Sequence, residues 1–192
     1  MDSPWTLLET WYAAAVESEP RVPDAMQVAT ADARGRTSVR TVLLKAHGPD
    51  VGLVFYTNFD SRKGRQLDEN PWASICLNWK TTRRQVLAEG PVERVDDATA
   101  DAYFASRSLG SRIGAWASDQ SRPLSDRVAL VDKVAQTTAR FAGKTVTRPP
   151  FWGGYRIRPE RFEFWSDRAD RLHERRLFVR QGEGWAVSLL YP

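Results

Sequence analysis

The chain has 192 residues and a mass of 21.8 kDa, enough for one substantial domain or two small ones. Hydrophobic residues make up 42% and charged residues 27%, which excludes disordered, collagen-like and coiled-coil chains. The net charge is +4 and its basic side is lopsided, with 23 arginines against 5 lysines. Arginine presents a planar fork that grips phosphate or carboxylate in a bidentate way, so the excess points to nucleic acid or to a small phosphorylated ligand.

In chain order, Ser3-Pro4 forms a helix start, a capping hydroxyl followed by proline at the first helical position. Trp5, Leu8, Trp11, Tyr12 and Ala15 then recur at helical spacing, and the helix is expected to stop before Pro20 to Pro23. Three strand-like runs follow: Ala25 to Ala31, Thr37 to Ala46 and Val51 to Asn58. Gly35 and Gly48-Pro49-Asp50 punctuate them as turns. Asp60-Ser61 predicts the cap of a short helix running to about Glu69, with Asn70-Pro71 as its stop. Strands are expected at Ala73 to Lys80 and Gln85 to Val95.

Helices open the second half. One begins at Asp96 or Asp97 and passes through Tyr103 and Phe104, a short one covers Ile113 to Ala117, and Ser125-Asp126 caps a longer one with Val128, Val131, Val134 and Phe141 on one face. Gly154 to Arg158, Arg161 to Trp165, Arg175 to Val179 and Trp185 to Leu190 read as strands, the last pair joined by the Gln181 to Gly184 turn. The fold class is α+β, mainly β: a strand-rich barrel with peripheral helices, read as one domain over residues 1–192.

Polar and basic residues are threaded through these elements in four clusters. The first is Arg40 to Lys45. The second is Tyr56-Thr57 followed by Ser61-Arg62-Lys63, where a helix N-terminus, a hydroxyl and two cations make a physically sound phosphate site, though the spacing alone slightly favours a solvated turn, because short Ser-Arg-Lys strings are common. The third is Tyr103 and Arg107, four apart on one helix face, with Ser111 near enough to join them; its ordinary alternative is a helix end with a snorkelling arginine. The fourth runs from Phe162 to Trp165 and from Arg171 to Arg175. Read as a strand, its Arg171, His173 and Arg175 face one way, so two cationic neighbours are expected to keep the His173 imidazole neutral.

Several chemistries drop out. Two histidines and one cysteine cannot build an ordinary zinc site. There is no P-loop, no Gly-x-Gly-x-x-Gly and no Gly-x-Ser-x-Gly elbow. Cys76 lies in an apolar run and has no disulfide partner, which fits a reducing cytoplasm. Met1 to Trp5 shows no signal-peptide pattern and no stretch is long and apolar enough for a membrane span, so no membrane partner is expected. The arginines alternate with apolar strand residues instead of forming one basic surface, which argues against nucleic acid.

Taken together, the clusters resemble the pyridoxamine 5'-phosphate oxidases, FMN enzymes that make pyridoxal 5'-phosphate. The match is collinear over nearly the whole chain: R-T-V-L-L-K at 40–45, F-Y-T-N-x-x-S-R-K at 55–63, R-Q-V at 84–86 and S-R-x-x-x-S at 106–111. It continues with I-G-A-W-A-S-x-Q-S at 113–121, F-W-G-G-Y at 151–155 and F-E-F-W-x-x-x-x-x-R-L-H-E-R at 162–175.

The resemblance implies an FMN-binding split-barrel homodimer with FMN at the subunit interface, its site completed by the C-terminal strands at about 151–192. It implies FMN contacts at Arg40, Lys45, Tyr56, Thr57, Arg62, Lys63, Gln85, Gln120, Ser121, Trp165 and Arg175, with Arg62 and Lys63 on the phosphate. It implies a substrate-phosphate cradle of Lys45, Tyr103, Arg107 and Ser111, with Arg171 and His173 over the substrate ring as the catalytic pair. The implied reaction is hydride transfer from C4' of pyridoxamine or pyridoxine 5'-phosphate to the flavin. Dioxygen is the final acceptor, hydrogen peroxide a product, and ammonia is released from the amine. Related flavin oxidases act on phenazine precursors, the alternative substrate class. Three departures accompany the match. A basic, tyrosine-bearing segment that family members often carry before the first helix is expected to be missing. Ser166 stands where Gln, His or Gly is usual, and Leu189 where the family's closing Arg-Leu-x-Pro places arginine.

Overall fold

The computed structural model describes residues 3–192; the first two residues of the stretch read for a targeting signal lie outside the described residues. Helix α1 (Pro4–Ser18) starts as expected, with the Ser3 hydroxyl accepting from the Trp5 amide. Its apolar face lies on the sheet: Trp5 meets Phe162 edge-on at 5.0 Å and Trp11 meets Phe164 at 5.2 Å.

Ten strands form one curled sheet. They are β1 (Ala25–Ala31), β2 (Thr37–Leu43), β3 (Ala46–Gly48), β4 (Gly52–Asn58), β5 (Trp72–Trp79), β6 (Arg84–Arg94), β7 (Trp152–Ile157), β8 (Arg161–Ser166), β9 (Glu174–Gln181) and β10 (Gly184–Leu190). The order β10-β9-β8-β6-β5-β1-β2 is antiparallel throughout. Strand β6 curls the sheet. Its Arg84–Glu89 stretch pairs with β8, while Val92–Arg94 pairs with β7, which carries β4 and then β3. The fold is thus mainly β and barrel-like, as the strand spacing predicts.

Alternation on β1 puts Met26, Val28 and Thr30 inward. The core gathers Met26 and Val28 with Leu8, Phe55, Leu77, Trp79, Val86, Ile157, Phe162, Phe164 and Phe178.

The single strand predicted over Thr37 to Ala46 is two strands. At Leu44 the chain leaves β1: Leu44 donates its amide to Asp24, and Lys45 donates to Val54 across the barrel.

Helices sit around the sheet: α2 (Arg62–Glu69), α3 (Asp97–Ser106), α4 (Leu109–Ala117) and α5 (Arg127–Arg140). Ser61, Asp96, Ser108 and Asp126 cap them in turn. The short helix predicted from Ile113 therefore begins a turn earlier, because Ser108 supplies its cap. A small second core of Phe104, Ile113, Val146 and Trp152 joins α3 and α4 to β7. Among the described residues no helix is long and apolar enough to cross a membrane.

Candidate active site

Ten of the residues singled out in the sequence line one cleft of about 620 Å³: Arg40, Lys45, Tyr56, Thr57, Arg62, Lys63, Tyr103, Arg107, Gln120 and Ser121. They come from β2, the β2–β3 corner, β4, α2, α3 and the segment after α4.

One end is built on the start of α2. The Ser61 hydroxyl caps the helix by accepting from the Gly64 amide and also accepts from Lys63 Nζ at 3.1 Å. The buried Lys63 ammonium donates further to Thr57 Oγ1 at 2.7 Å and Gln120 Oε1 at 2.9 Å. All three acceptors are neutral. Burial, with the nearby Arg40 adding repulsion, pushes Lys63 down to about 8. Arg40 is held from behind. It donates to Val28 O, Thr30 Oγ1 and Ser38 Oγ, and Gln66 Oε1 of α2 accepts from both of those hydroxyls at 2.6 Å. Burial and then Arg62 also lower the Arg40 guanidinium.

The other end is aromatic. Tyr56 and Tyr103 stack with centroids 3.8 Å apart, and Trp152 lies parallel to Tyr56 at 5.5 Å. The Arg107 guanidinium lies over Trp152, and its NH1 is buried without a hydrogen-bond partner. Burial lowers this group too, against the opposing pull of Tyr103. Two glycines let β7 come this close. A Cβ on Gly153 would stand 2.5 Å from the Phe59 ring, and one on Gly154 would stand 2.9 Å from Tyr56. Arg148 fastens α3 to β7 by donating to Asp97, Asp101 and the Trp152 carbonyl.

Lys45 is paired with Asp24 at 2.6 Å. None of the ion pairs given for the described residues reaches Arg40, Arg62, Lys63 or Arg107. A cleft with cations at both ends, a lysine depressed by burial and an orphaned guanidinium N–H is short of anionic charge. A ligand with phosphate groups fits that deficit.

Six predicted residues lie elsewhere. Gln85, Trp165 and Arg175 form one row across β6, β8 and β9, on the sheet face opposite Val86 and Phe164. Arg175 donates to the buried Glu163 at 2.8 Å and to the Tyr191 carbonyl at 3.0 Å, and the ion pair raises its pKa further. His173 packs against Trp165 with centroids 4.6 Å apart. Arg171, His173 and Arg175 do not share a strand face. Ala169–Arg171 is a single 3-10 turn with positive φ at Asp170 and Arg171, and β9 begins only at Glu174. The charged contact given for the His173 ring is an acidic one, Asp167 at 3.2 Å. Ser111 lies on α4 outside the cleft lining, its hydroxyl accepting from Ser108.

Sequence reasoning gave no site role to Gln66, Asp24 or Asp167, and quoted Trp152 only within the F-W-G-G-Y string. Only Trp152 carried a signal, the two glycines that follow it.

The family model described as pyridoxamine 5'-phosphate oxidase matches residues 13–141, and the model described as the pyridoxine 5'-phosphate oxidase C-terminal dimerisation region matches 152–192. The pyridoxine/pyridoxamine 5'-phosphate oxidase of Sphingopyxis alaskensis is 57% identical over 191 residues, covering 100% of this chain and 88% of the relative. That of Rhodospirillum rubrum is 52% identical, covering 98% and 96%. Among solved structures, PhzG from Burkholderia lata 383, in complex with tetrahydrophenazine-1-carboxylic acid, superposes with a TM-score of 0.93 at 37% identity, covering 100% of this chain and 94% of PhzG. A pyridoxamine 5'-phosphate oxidase-related, FMN-binding protein from Nostoc punctiforme superposes over 100% of this chain and 98% of its own at 0.78 and 20% identity, which supports the split-barrel fold alone.

Proposed function

Because the chain belongs to the pyridoxamine 5'-phosphate oxidase family of enzymes, we propose that it oxidises pyridoxamine and pyridoxine 5'-phosphate to pyridoxal 5'-phosphate, with FMN as cofactor. The observation that carries this reading is the anion deficit at two separate ends of one cleft. The Ser61-capped α2 start, with Arg62 and Lys63, would hold the FMN phosphate. Arg40, Lys45, Tyr56, Thr57, Gln120 and Ser121 line the rest of the FMN site. At the far end Lys45, Tyr103 and Arg107 would hold the substrate phosphate, with Ser111 the fourth member of that cradle.

Gln85, Trp165, Arg175, Arg171 and His173 belong to the same site in this reading, but across a subunit boundary. A homodimer would bring the row on β6, β8 and β9 of one copy to the cleft of the other; the C-terminal match to a dimerisation region supports this. The whole chain would act as one FMN-binding split-barrel domain completed by residues 151–192 of its mate, working in the cytoplasm.

FMN bound there supplies a hydride acceptor that dioxygen reoxidises, with hydrogen peroxide as product. The protein's own part is placement. The phosphate cradle anchors the substrate at a fixed distance from its C4' carbon, the Tyr56–Tyr103–Trp152 stack walls that end of the cleft, and Arg171 and His173 cover the ring.

The likeness to PhzG supports a second reading, oxidation of a ring acid without phosphate. The presence together of Lys45, Tyr103, Arg107 and Ser111, the four residues that the resemblance assigns to a substrate phosphate, favours the first. Reconstitution tests the cofactor assignment: unloaded protein titrated with FMN should quench flavin fluorescence to a one-to-one endpoint per chain. Failure to bind FMN would remove the oxidase reading.

A further inference from the structure

His173 carries a conflict at one atom. Its Nδ1 accepts a hydrogen bond from the backbone N–H of Arg168 at 3.3 Å and also lies within ion-pair distance of Asp167 Oδ1, at 3.2 Å. A carboxylate oxygen there calls for a proton on Nδ1, whereas a backbone N–H calls for the Nδ1 lone pair. One protonation state cannot serve both.

The surroundings favour the carboxylate. Asp167 is held in place: its Oδ2 accepts from Arg83 NH1 at 2.8 Å, and its amide donates to the Arg83 carbonyl at 3.1 Å. The Arg168 guanidinium is turned away, donating to Glu174 at 2.7 Å and to the Asp167 carbonyl at 3.0 Å. Trp165 covers one side of the ring. The charged groups around this imidazole are thus Asp167 and Arg168 of the loop and Glu174 of β9, with Arg83 of the β5–β6 turn behind Asp167. Only 22% of the His173 side chain and 26% of Asp167 are exposed, so water competes weakly for the contact. A hydrogen bond to a charged acceptor is about twice as strong as a neutral one.

We propose that Asp167 is a positioning residue that selects the Nδ1–H tautomer of His173 and so leaves Nε2 as a hydrogen-bond acceptor toward the substrate. This rests on His173 facing the substrate ring, as proposed above. An acceptor at Nε2 suits substrates carrying a donor at the reacting carbon, and both an amine and an alcohol do. Without Asp167 the Arg168 amide is left as the partner of Nδ1. The proton then moves to Nε2, and the acceptor becomes a donor.

Long-range proton–nitrogen NMR of the flavin-loaded, histidine-labelled protein reads the tautomer directly, at a pH where the imidazole is neutral. The chain has two histidines, so His47 serves as the internal reference. The Nδ1–H form is expected in the unsubstituted protein and the Nε2–H form in Asp167→Ala. That variant should also lose about tenfold in kcat with KM for pyridoxine 5'-phosphate unchanged, the lower end of the loss found when the hydrogen-bond partner of a metal-bound histidine is removed. Asp167→Asn keeps the volume and a weaker acceptor; it should give a mixture of tautomers and an intermediate kcat, and it carries the test if the alanine variant does not fold. An Nε2–H tautomer in the unsubstituted protein, no change on substitution, or a raised KM at unchanged kcat would overturn the proposal. If no phosphorylated pyridoxine is turned over at all, the functional reading fails while the spectrum still decides the tautomer.

Discussion

The Arg107 guanidinium lies 4.7 Å from the centre of the Trp152 indole, with its NH1 buried and unpaired. The indole face fixes the plane of the fork, and the orphaned N–H marks where an anion completes it. Arg107→Ala should therefore weaken capture of pyridoxine 5'-phosphate by roughly 1.5–3 kcal/mol, the range for a hydrogen bond to a charged group. Arg107→Lys should recover only part, because a point charge neither stacks on the indole nor bonds through two parallel N–H groups. Steady-state kcat/KM for both variants checks this, and an unchanged value for Arg107→Ala would remove Arg107 from the cradle.

Lys63 predicts a pH signature in the unloaded protein. Its folded-state value, about 8, lies below the ordinary 10.5, so burial of the ammonium costs stability below pH 8. As pH rises from about 8 to 10.5 the folded protein already holds the neutral amine while the unfolded chain stays charged, and the cost is relieved. The effect is on the order of 3 kcal/mol. Lys63→Met should be the more stable protein near neutral pH, with the difference closing by pH 10.5. Denaturant unfolding of both proteins across that window measures it, and FMN should bind more weakly to the variant.

Gln66 supports the site without lining it. Its Oε1 is the shared acceptor for the Thr30 and Ser38 hydroxyls, which in turn receive Arg40. Gln66→Leu strands both hydroxyls and should cost about 1–3 kcal/mol of stability. A raised FMN dissociation constant is expected beside the lower unfolding midpoint, because α2 and Arg40 lose their common fastening. Equal FMN affinity in the two proteins would show that Arg40 needs no such support.

Gly64 follows Lys63, where a Cβ would stand 1.8 Å from the Phe59 carbonyl oxygen. Backbone cannot yield as a side chain can. Gly64→Ala should thus destabilise the protein by about 1–3 kcal/mol or more and lower flavin content, read by thermal unfolding and by absorbance of the purified protein.

Much of this molecule is legible in its residues. Alternation over Ala25 to Ala31 sets β1 to the residue, because one face is buried and the other is not. The caps at Ser61, Asp96 and Asp126 mark three helix starts. The site's polar end was visible for the same local reason: a capping serine followed by two cations. What escaped depends on contacts distant in sequence. The break at Leu44 is made by Asp24 and Val54, and nothing in Thr37 to Ala46 announces it. The turn at Asp170 and Arg171 takes positive φ without glycine, so a strand period seemed to continue through it. Asp167 meets His173 only because that turn folds the loop back.

In the proposed reading the two anion-deficient ends of one cleft hold FMN and a phosphorylated pyridoxine. The most direct measurement is oxygen uptake by the FMN-loaded protein supplied with pyridoxine 5'-phosphate, pyridoxamine 5'-phosphate or unphosphorylated pyridoxine, with pyridoxal 5'-phosphate followed by absorbance. Oxygen consumption and pyridoxal 5'-phosphate formation with both phosphorylated substrates, and far slower turnover of pyridoxine, are predicted. FMN-loaded protein that consumes no oxygen with either phosphorylated substrate, or that oxidises pyridoxine equally well, would contradict the claim.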